Sequence, residues 1–214
     1  MKIFVQNIIS TGLKAVFMLC FCATASGCEK KTVVSDSVKS ILFIGNSLTY
    51  SNDLPAMVVA LAKEKGIELK TETLAFPNYG LEDHWNIGSL QQLIASKTFD
   101  FVILQQGPSS QSEGRAMLLD YGARIKALCD NTKTRVAFFM VWPAFANIHT
   151  FDGVIKNYSD AASATNSLLC PVGAVWKKHF EDTKDYSYYG PDLFHPSQKG
   201  TKIAAEVIVE ALFK

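Results

Sequence analysis

Residues 41–53 read ILFIGNSLTYSND, and this stretch decides the fold. Four consecutive large apolar side chains, Ile41 to Ile44, closed by Gly45, form the pattern of a strand buried on both faces, because a half-buried strand would alternate. Strands of that kind belong to parallel sheets covered by helices on both sides. The residues that follow agree. A polar run leads to Pro55, placed for the first turn of a helix whose body is AMVVALAKEK (56–65), with Gly66 as its stop and Asn52 or Asp53 expected as its cap.

Further along the chain the same alternation repeats. IELKTETLAF (67–76) has period two, SLQQLIAS (89–96) is a short helix, and FDFVILQ (99–105) is a third strand. EGRAMLLDYGARIKALC (113–129) puts Met117, Leu118, Tyr121, Ile125 and Leu128 on one helical stripe, and RVAFFMVW (135–142) is a fourth strand. GVIKNYSDAASATNSL (153–168) has helical spacing, LLCPVG (168–173) gives a brief fifth strand, and AVWKKHFE (174–181) is another helix. The chain ends in SQKGTKIAAEVIVEALF (197–213), whose Ile203, Val207, Ile208, Ala211 and Leu212 face the sheet. Strands alternating with helices require right-handed crossovers, so the expected architecture is a three-layer α/β/α sandwich around a five-stranded parallel sheet.

Composition fits one domain of this size: 214 residues, 48% hydrophobic, with 21 basic and 20 acidic side chains. A formal charge of +1 without a Lys/Arg cluster gives no reason to expect nucleic acid as a partner. The N-terminus is a separate matter. Lys2 and Lys14 flank a stretch that turns apolar through AVFMLCFCATASGC (15–28) before the first acidic residue, Glu29, which is the pattern of an export signal and too short for a membrane span. Two cleavage positions fit. One lies before Cys28, with Ala25, Ser26 and Gly27 as the small residues of a bacterial lipoprotein signal and Cys28 as the lipidated anchor; the other lies after Ala25. The preferred division is a signal over 1–27, a linker over 28–39 and the domain over 40–214. Of the five cysteines, Cys129 and Cys170 remain within the domain, read as unpaired core thiols with a disulfide as the alternative.

In open parallel sheets, sites form at the carboxyl ends of strands where the winding direction switches. Four segments fall at such ends: Gly45-Asn46-Ser47, PNYGLEDH (77–84), QQGPSS (105–110) and GPDLFHPS (190–197). In the last, Asp192 and His195 are three apart in a turn stiffened by Pro191 and Pro196, so the carboxylate can hold one ring nitrogen and leave the other to take a proton from a hydroxyl. Ser47, on a tight turn ahead of a helix, can supply that hydroxyl. Gly80 can bring a backbone N–H close, and Gln105 or Gln106 can offer an amide. Taken singly these residues have plainer roles: Ser47 as a helix cap, Gly80 as a turn residue, the glutamines as loop braces.

Together they resemble the SGNH hydrolases, the GDSL-type lipases and esterases, with FIGNSLT as first block, Gly80 as second and DLFHPSQKG as last. Asn46 replaces the more usual Asp before the serine. The third block departs further, because LQQGPSS stands where the family usually has Gly-x-Asn-Asp. The resemblance implies a flavodoxin-like fold and a serine esterase in which Ser47 is nucleophile, His195 base and Asp192 its orienting carboxylate. It implies an oxyanion hole of the Ser47 and Gly80 N–H groups plus a glutamine amide, with Gln106 favoured over Gln105. Asn46, Tyr79, His84, Trp85 and Trp142 are expected near the substrate, although His84 also suits packing and Trp142 a core position. His149 and His179 are read as surface or loop residues. The substrate class implied is a small ester, leaning to acetylated carbohydrate. Lipid or aryl ester hydrolysis and a non-catalytic, surface-anchored sugar-binding protein are the alternatives. No cofactor or metal is expected, since four scattered histidines have no zinc-type spacing.

Overall fold

The computed structural model describes residues 38–214; the leader, Cys28 and most of the linker lie outside the described residues. The elements are β1 (Lys39–Gly45), α1 (Ser47–Tyr50), a 3-10 turn (Ser51–Asp53), α2 (Leu54–Glu64), β2 (Leu69–Ala75), α3 (Leu81–Ile87), α4 (Ser89–Ser96), β3 (Phe101–Leu104), α5 (Ser112–Asp130), β4 (Arg135–Phe139), a second 3-10 segment (Phe145–Thr150), α6 (Phe151–Ala164), β5 (Leu168–Cys170), α7 (Val172–Thr183) and α8 (Gln198–Leu212). The strands lie in the order β2-β1-β3-β4-β5, every neighbouring pair parallel. This is the flavodoxin-like order, and its direction of winding reverses between β1 and β3.

Ile41 to Ile44 are wholly buried, as are Val102 to Leu104 of β3, so the two central strands are covered on both faces. On one side α2 packs against α8; on the other α5 packs against α3 and α6. Cys129 and Cys170 are both free and buried. Burial pushes each thiol up to about 12, which keeps them protonated and inert. Among the described residues no helix is long and apolar enough to cross a membrane.

The sequence missed two helices, and both flank the site. α1 is one turn long and α3 has only seven residues, too short to show a helical period. The cap of α2 is one of the two residues expected, but it works without a side-chain contact. Asp53 holds the N-cap position without a side-chain hydrogen bond, and both Asn52 and Asp53 have φ of 54°, in the left-handed region. Asn52 instead reaches across the fold. Its Nδ2 donates to the Pro196 carbonyl and to Thr201 Oγ1, both at 2.8 Å, which ties the turn after β1 to the loop before α8.

Candidate active site

Ser47 opens α1 directly after β1, and its Oγ lies 2.8 Å from His195 Nε2. The other ring nitrogen, Nδ1, is 2.5 Å from Asp192 Oδ2. Asp192 also shapes its own turn, because its Oδ1 accepts from the backbone N–H of Phe194 and of His195 at 3.1 and 2.9 Å. The neighbouring His195 imidazole holds the Asp192 carboxyl below its ordinary value, helped by those two N–H groups. Leu193 pays for the turn with φ of 57°. Residues 148 positions apart thus converge at the carboxyl end of β1.

Behind this loop stands a stack of aromatics. Trp142 donates its indole N–H to the Phe194 carbonyl at 3.0 Å and lies face to face with Trp176 at 3.6 Å. Gly200 packs under the same cluster; a Cβ there would stand 2.2 Å from the Tyr188 carbonyl oxygen and 2.7 Å from the Trp176 ring. That close approach is the physical reason for a glycine four residues after Pro196. It also corrects the reading of Trp142, which is fully buried and supports the His195 loop from within instead of lining a pocket.

The two glutamines point to opposite sides of the strand end. Gln105 is fully buried beneath the Ser47 turn. Its Oε1 accepts from the Asn46 N–H and the Thr49 hydroxyl, both at 2.8 Å, and its Nε2 donates to the Gln106 carbonyl at 2.7 Å. Gly45 makes this possible, since a Cβ there would lie 2.3 Å from both Gln105 Oε1 and Thr49 Oγ1. Gln106 faces the other way, into the site. Its Oε1 accepts from Leu81 N–H at 3.2 Å, in the first turn of α3, while its Nε2 donates to Ser109 Oγ and the Gly114 carbonyl, each at 2.9 Å. With the Leu81 N–H on one side and the Gly114 carbonyl on the other, the amide has one sensible orientation. Both of its N–H groups are engaged. As placed, neither glutamine holds a free amide donor, and each braces a segment that carries the site.

The backbone donors are Ser47 N–H, at the first position of α1 where no intrahelical acceptor exists, and Gly80 N–H, which donates to Asp83 Oδ2 at 2.8 Å. Asn46 lies beside them. Its Oδ1 accepts from Leu48 N–H at 3.1 Å and its Nδ2 donates to the Tyr79 carbonyl at 3.0 Å, so the residue before the serine joins α1 to the Gly80 loop. Asn46, Ser47, Tyr79, Gly80, Asp83 and Gln106 line a cavity of about 390 Å³, completed by Asn78, residues 107–109, Gly114, Met117 and Phe194.

His84 and Trp85 do not line it. His84 is 1% exposed and donates through Nε2 to the Gly45 carbonyl at 2.8 Å, with Phe76 and Tyr79 around its ring. Burial lowers its pKa, so the imidazole is held neutral, with the proton on Nε2. Trp85 faces α5, where the Arg124 guanidinium lies 5.8 Å from its ring centre. His149 is exposed on the second 3-10 segment, and His179 lies on α7 near Asp185.

No protein-family model matches the chain, and no curated protein matches it. Solved structures do. A candidate SGNH hydrolase from Slackia heliotrinireducens superimposes with a TM-score of 0.68 at 24% identity, over 82% of this chain and 99% of that one. The chain has the SGNH hydrolase fold. A catalytic mutant of Axe2, an acetylxylan esterase from Geobacillus stearothermophilus, gives 0.63 at 19% identity, covering 83% of this chain and 95% of that one. A lipase/acylhydrolase from Enterococcus faecalis gives 0.65 at 16%, covering 81% and 94%. Within this SGNH fold, the sequence patterns do not mark Asn52 and Phe194 as parts of the site. Asn52 beside Asp53 in a turn had a signal, since asparagine readily takes positive φ; Phe194 had none beyond its place next to His195.

Proposed function

We propose that the chain is a serine esterase, exported and anchored through a lipid on Cys28, that removes acetyl groups from carbohydrate. One observation carries the chemistry: Ser47 Oγ, His195 and Asp192 are joined in series at 2.8 and 2.5 Å. In the first step Oγ attacks the ester carbonyl while its proton passes to His195 Nε2, and Asp192 stabilises the resulting imidazolium. The carbonyl oxygen becomes an oxyanion held by the N–H groups of Ser47 and Gly80, the latter released from Asp83. As the tetrahedral species collapses, the carbon–oxygen bond to the alcohol breaks and His195 returns the proton to that oxygen. Water, activated by the same imidazole, then attacks the acyl-enzyme and frees the acid and Ser47.

Several features support an acetylated sugar as substrate. The cavity is small, holds Asp83 as its single charge, and has hydroxyl and amide groups among its walls, which suits a short acyl group on a polar alcohol better than a long hydrocarbon chain. Two proteins of the same fold are an acetylxylan esterase and a lipase/acylhydrolase.

The test is labelling by a fluorophosphonate together with turnover of p-nitrophenyl acetate. Both are expected in the unaltered protein and lost in Ser47→Ala; labelling that persists in the folded Ser47→Ala variant refutes the assignment. Incorporation of radiolabelled palmitate, abolished by Cys28→Ala, tests the anchor. A binding protein without turnover is the second reading, favoured by the engagement of both the Gly80 N–H and the Gln106 amide. Sugar binding that survives Ser47→Ala, with no turnover in the unaltered protein, would establish it.

A further inference from the structure

A second cavity, of about 530 Å³, adjoins the one above Ser47. The two share Pro108, Ser109, Gly114 and Phe194 as a common wall. Beyond that wall the chain reaches the second 3-10 segment, after β4, so the combined cleft runs along the carboxyl edge of the sheet from β1 past β3 to β4. Each cavity lies within the roughly 300–1,000 Å³ typical of small-ligand sites.

The ridge between them is held firmly. Ser109 has φ of 56°, its carbonyl accepts from Asn157 Nδ2 at 2.7 Å, and its hydroxyl meets Gln106 Nε2. The Tyr158 hydroxyl, which donates to the Gln106 carbonyl at 2.5 Å, also lies 3.1 Å from the Gly107 carbonyl, and a Cβ on Gly114 would stand 2.9 Å from Ser109 Cα. Strain retained in a loop braced on three sides is the arrangement expected where a binding surface must keep its shape.

The chemistry of the second cavity is neutral and mixed. Pro108, Pro143 and Phe194 present apolar faces, while Ser110, Asn147 and His149 bring a hydroxyl, an amide and an imidazole. The nearby Asn147 carbonyl is engaged by Thr150 Oγ1, but those three side chains make no hydrogen bond to another described residue. No carboxylate, ammonium or guanidinium lines the space. Apolar faces rimmed by free donors and acceptors match a pyranose or furanose ring, which has an apolar face and an edge of hydroxyls.

We infer that this cavity is a second sugar subsite on the alcohol side of the ester, so that the substrate is a neutral acetylated oligosaccharide and not a single acetylated sugar. The direction follows from proton transfer. The leaving oxygen must lie at His195 Nε2 to be protonated, and Phe194, adjacent to His195, is the wall that opens to the second cavity; the acyl group lies toward Gly80. This inference rests on the esterase reading.

The experiment compares kcat/KM for acetylated xylo-, cello- and manno-oligosaccharides with the matching acetylated monosaccharides, using p-nitrophenyl acetate as a substrate too short to reach the second cavity. At least one series is expected to gain about 10-fold or more on lengthening. Asn147→Ala and His149→Ala should each lower that gain by about 3- to 10-fold through KM, the effect of one lost hydrogen bond. Ala144→Trp, which fills the cavity, should abolish the gain, and all three variants should turn over p-nitrophenyl acetate as before. No gain on lengthening in any series, with p-nitrophenyl acetate still cleaved, overturns the second subsite and leaves the esterase standing. Absence of p-nitrophenyl acetate turnover in the unaltered protein overturns both. A gain that survives Ala144→Trp also overturns the subsite.

Discussion

Replacing Gln105 by leucine removes three hydrogen bonds while keeping nearly the same side-chain volume. The structure shows what is left behind. The Gln106 carbonyl retains the Tyr158 hydroxyl at 2.5 Å, but the Asn46 N–H and the fully buried Thr49 hydroxyl lose their acceptor. A buried donor left unsatisfied costs about 1–3 kcal/mol, so two give a loss of about 4 kcal/mol. That is a large share of the roughly 5–15 kcal/mol by which a domain is stable. Because Asn46 N–H sets the direction of the turn carrying Ser47, the proposed mechanism also predicts a kcat for p-nitrophenyl acetate about 100-fold lower, in line with the sensitivity of catalysis to small misplacement. Urea unfolding followed by circular dichroism gives the first quantity and initial rates on the folded fraction give the second. Thr49→Val placed in the Gln105→Leu background should recover about 1–2 kcal/mol, since it removes one orphaned donor. A stability change under 1 kcal/mol accompanied by the full loss of kcat would refute the bracing role and assign Gln105 to the oxyanion directly.

Two more outcomes follow from the same neighbourhood. His84 is neutral in the fold with a pKa below 6.5, so the unfolded chain binds its proton first as pH falls. Stability should therefore decline below about pH 6.5, by at most about 1.4 kcal/mol per pH unit, and His84→Gln, which can still donate to the Gly45 carbonyl, should flatten that slope; an unchanged slope would place the titration elsewhere. Asp83→Ala should free the Gly80 N–H and remove a negative charge beside the oxyanion, raising kcat about 3- to 10-fold at a cost of about 1 kcal/mol in thermal or urea stability; a fall in kcat would mean that the cap holds Gly80 in place.

The fold was legible because Ile41 to Ile44, Phe101 to Leu104 and Val136 to Phe139 are short apolar runs between longer amphipathic ones, and that alternation has few solutions. The helices that were missed, α1 and α3, are a single turn and seven residues long, and their burial against β1 and α5 supplies what local propensity does not. Ser47, His195 and Asp192 were legible as neighbours because two of them share one turn and the third opens the turn that follows a buried strand. The environments of Trp142, His84 and Trp85 were not. An aromatic at a strand end can face the cleft or the core, and only the packing of Trp176 beneath Trp142 decides it. The imidazole of His84 is turned inward by a carbonyl 39 residues away, a contact that no local pattern encodes.

The glutamine pair shows how a departure from a family pattern can be read structurally. β3 lies beside β1 at the point where the sheet reverses its winding, so consecutive residues leaving β3 reach opposite flanks of the Ser47 turn. Gln105 grips that turn through Asn46 and Thr49; Gln106 grips the α3 end through Leu81 and the ridge through Ser109 and Gly114. A single asparagine has neither the reach nor the number of polar atoms for both. On the proposed mechanism the oxyanion would then depend on backbone donors, Ser47 N–H and Gly80 N–H, whose positions these two side chains fix from below and from the side. Two backbone donors suffice for acyl transfer on other folds, where the hole is made of N–H groups alone. The cost falls on Gly80, because its N–H begins the cycle bonded to Asp83 and must exchange a carboxylate for the oxyanion. That exchange takes place at an exposed hydrogen bond, where water competes and the net value of the original bond is only about 1 kcal/mol, small against what a pre-oriented donor contributes to the transition state.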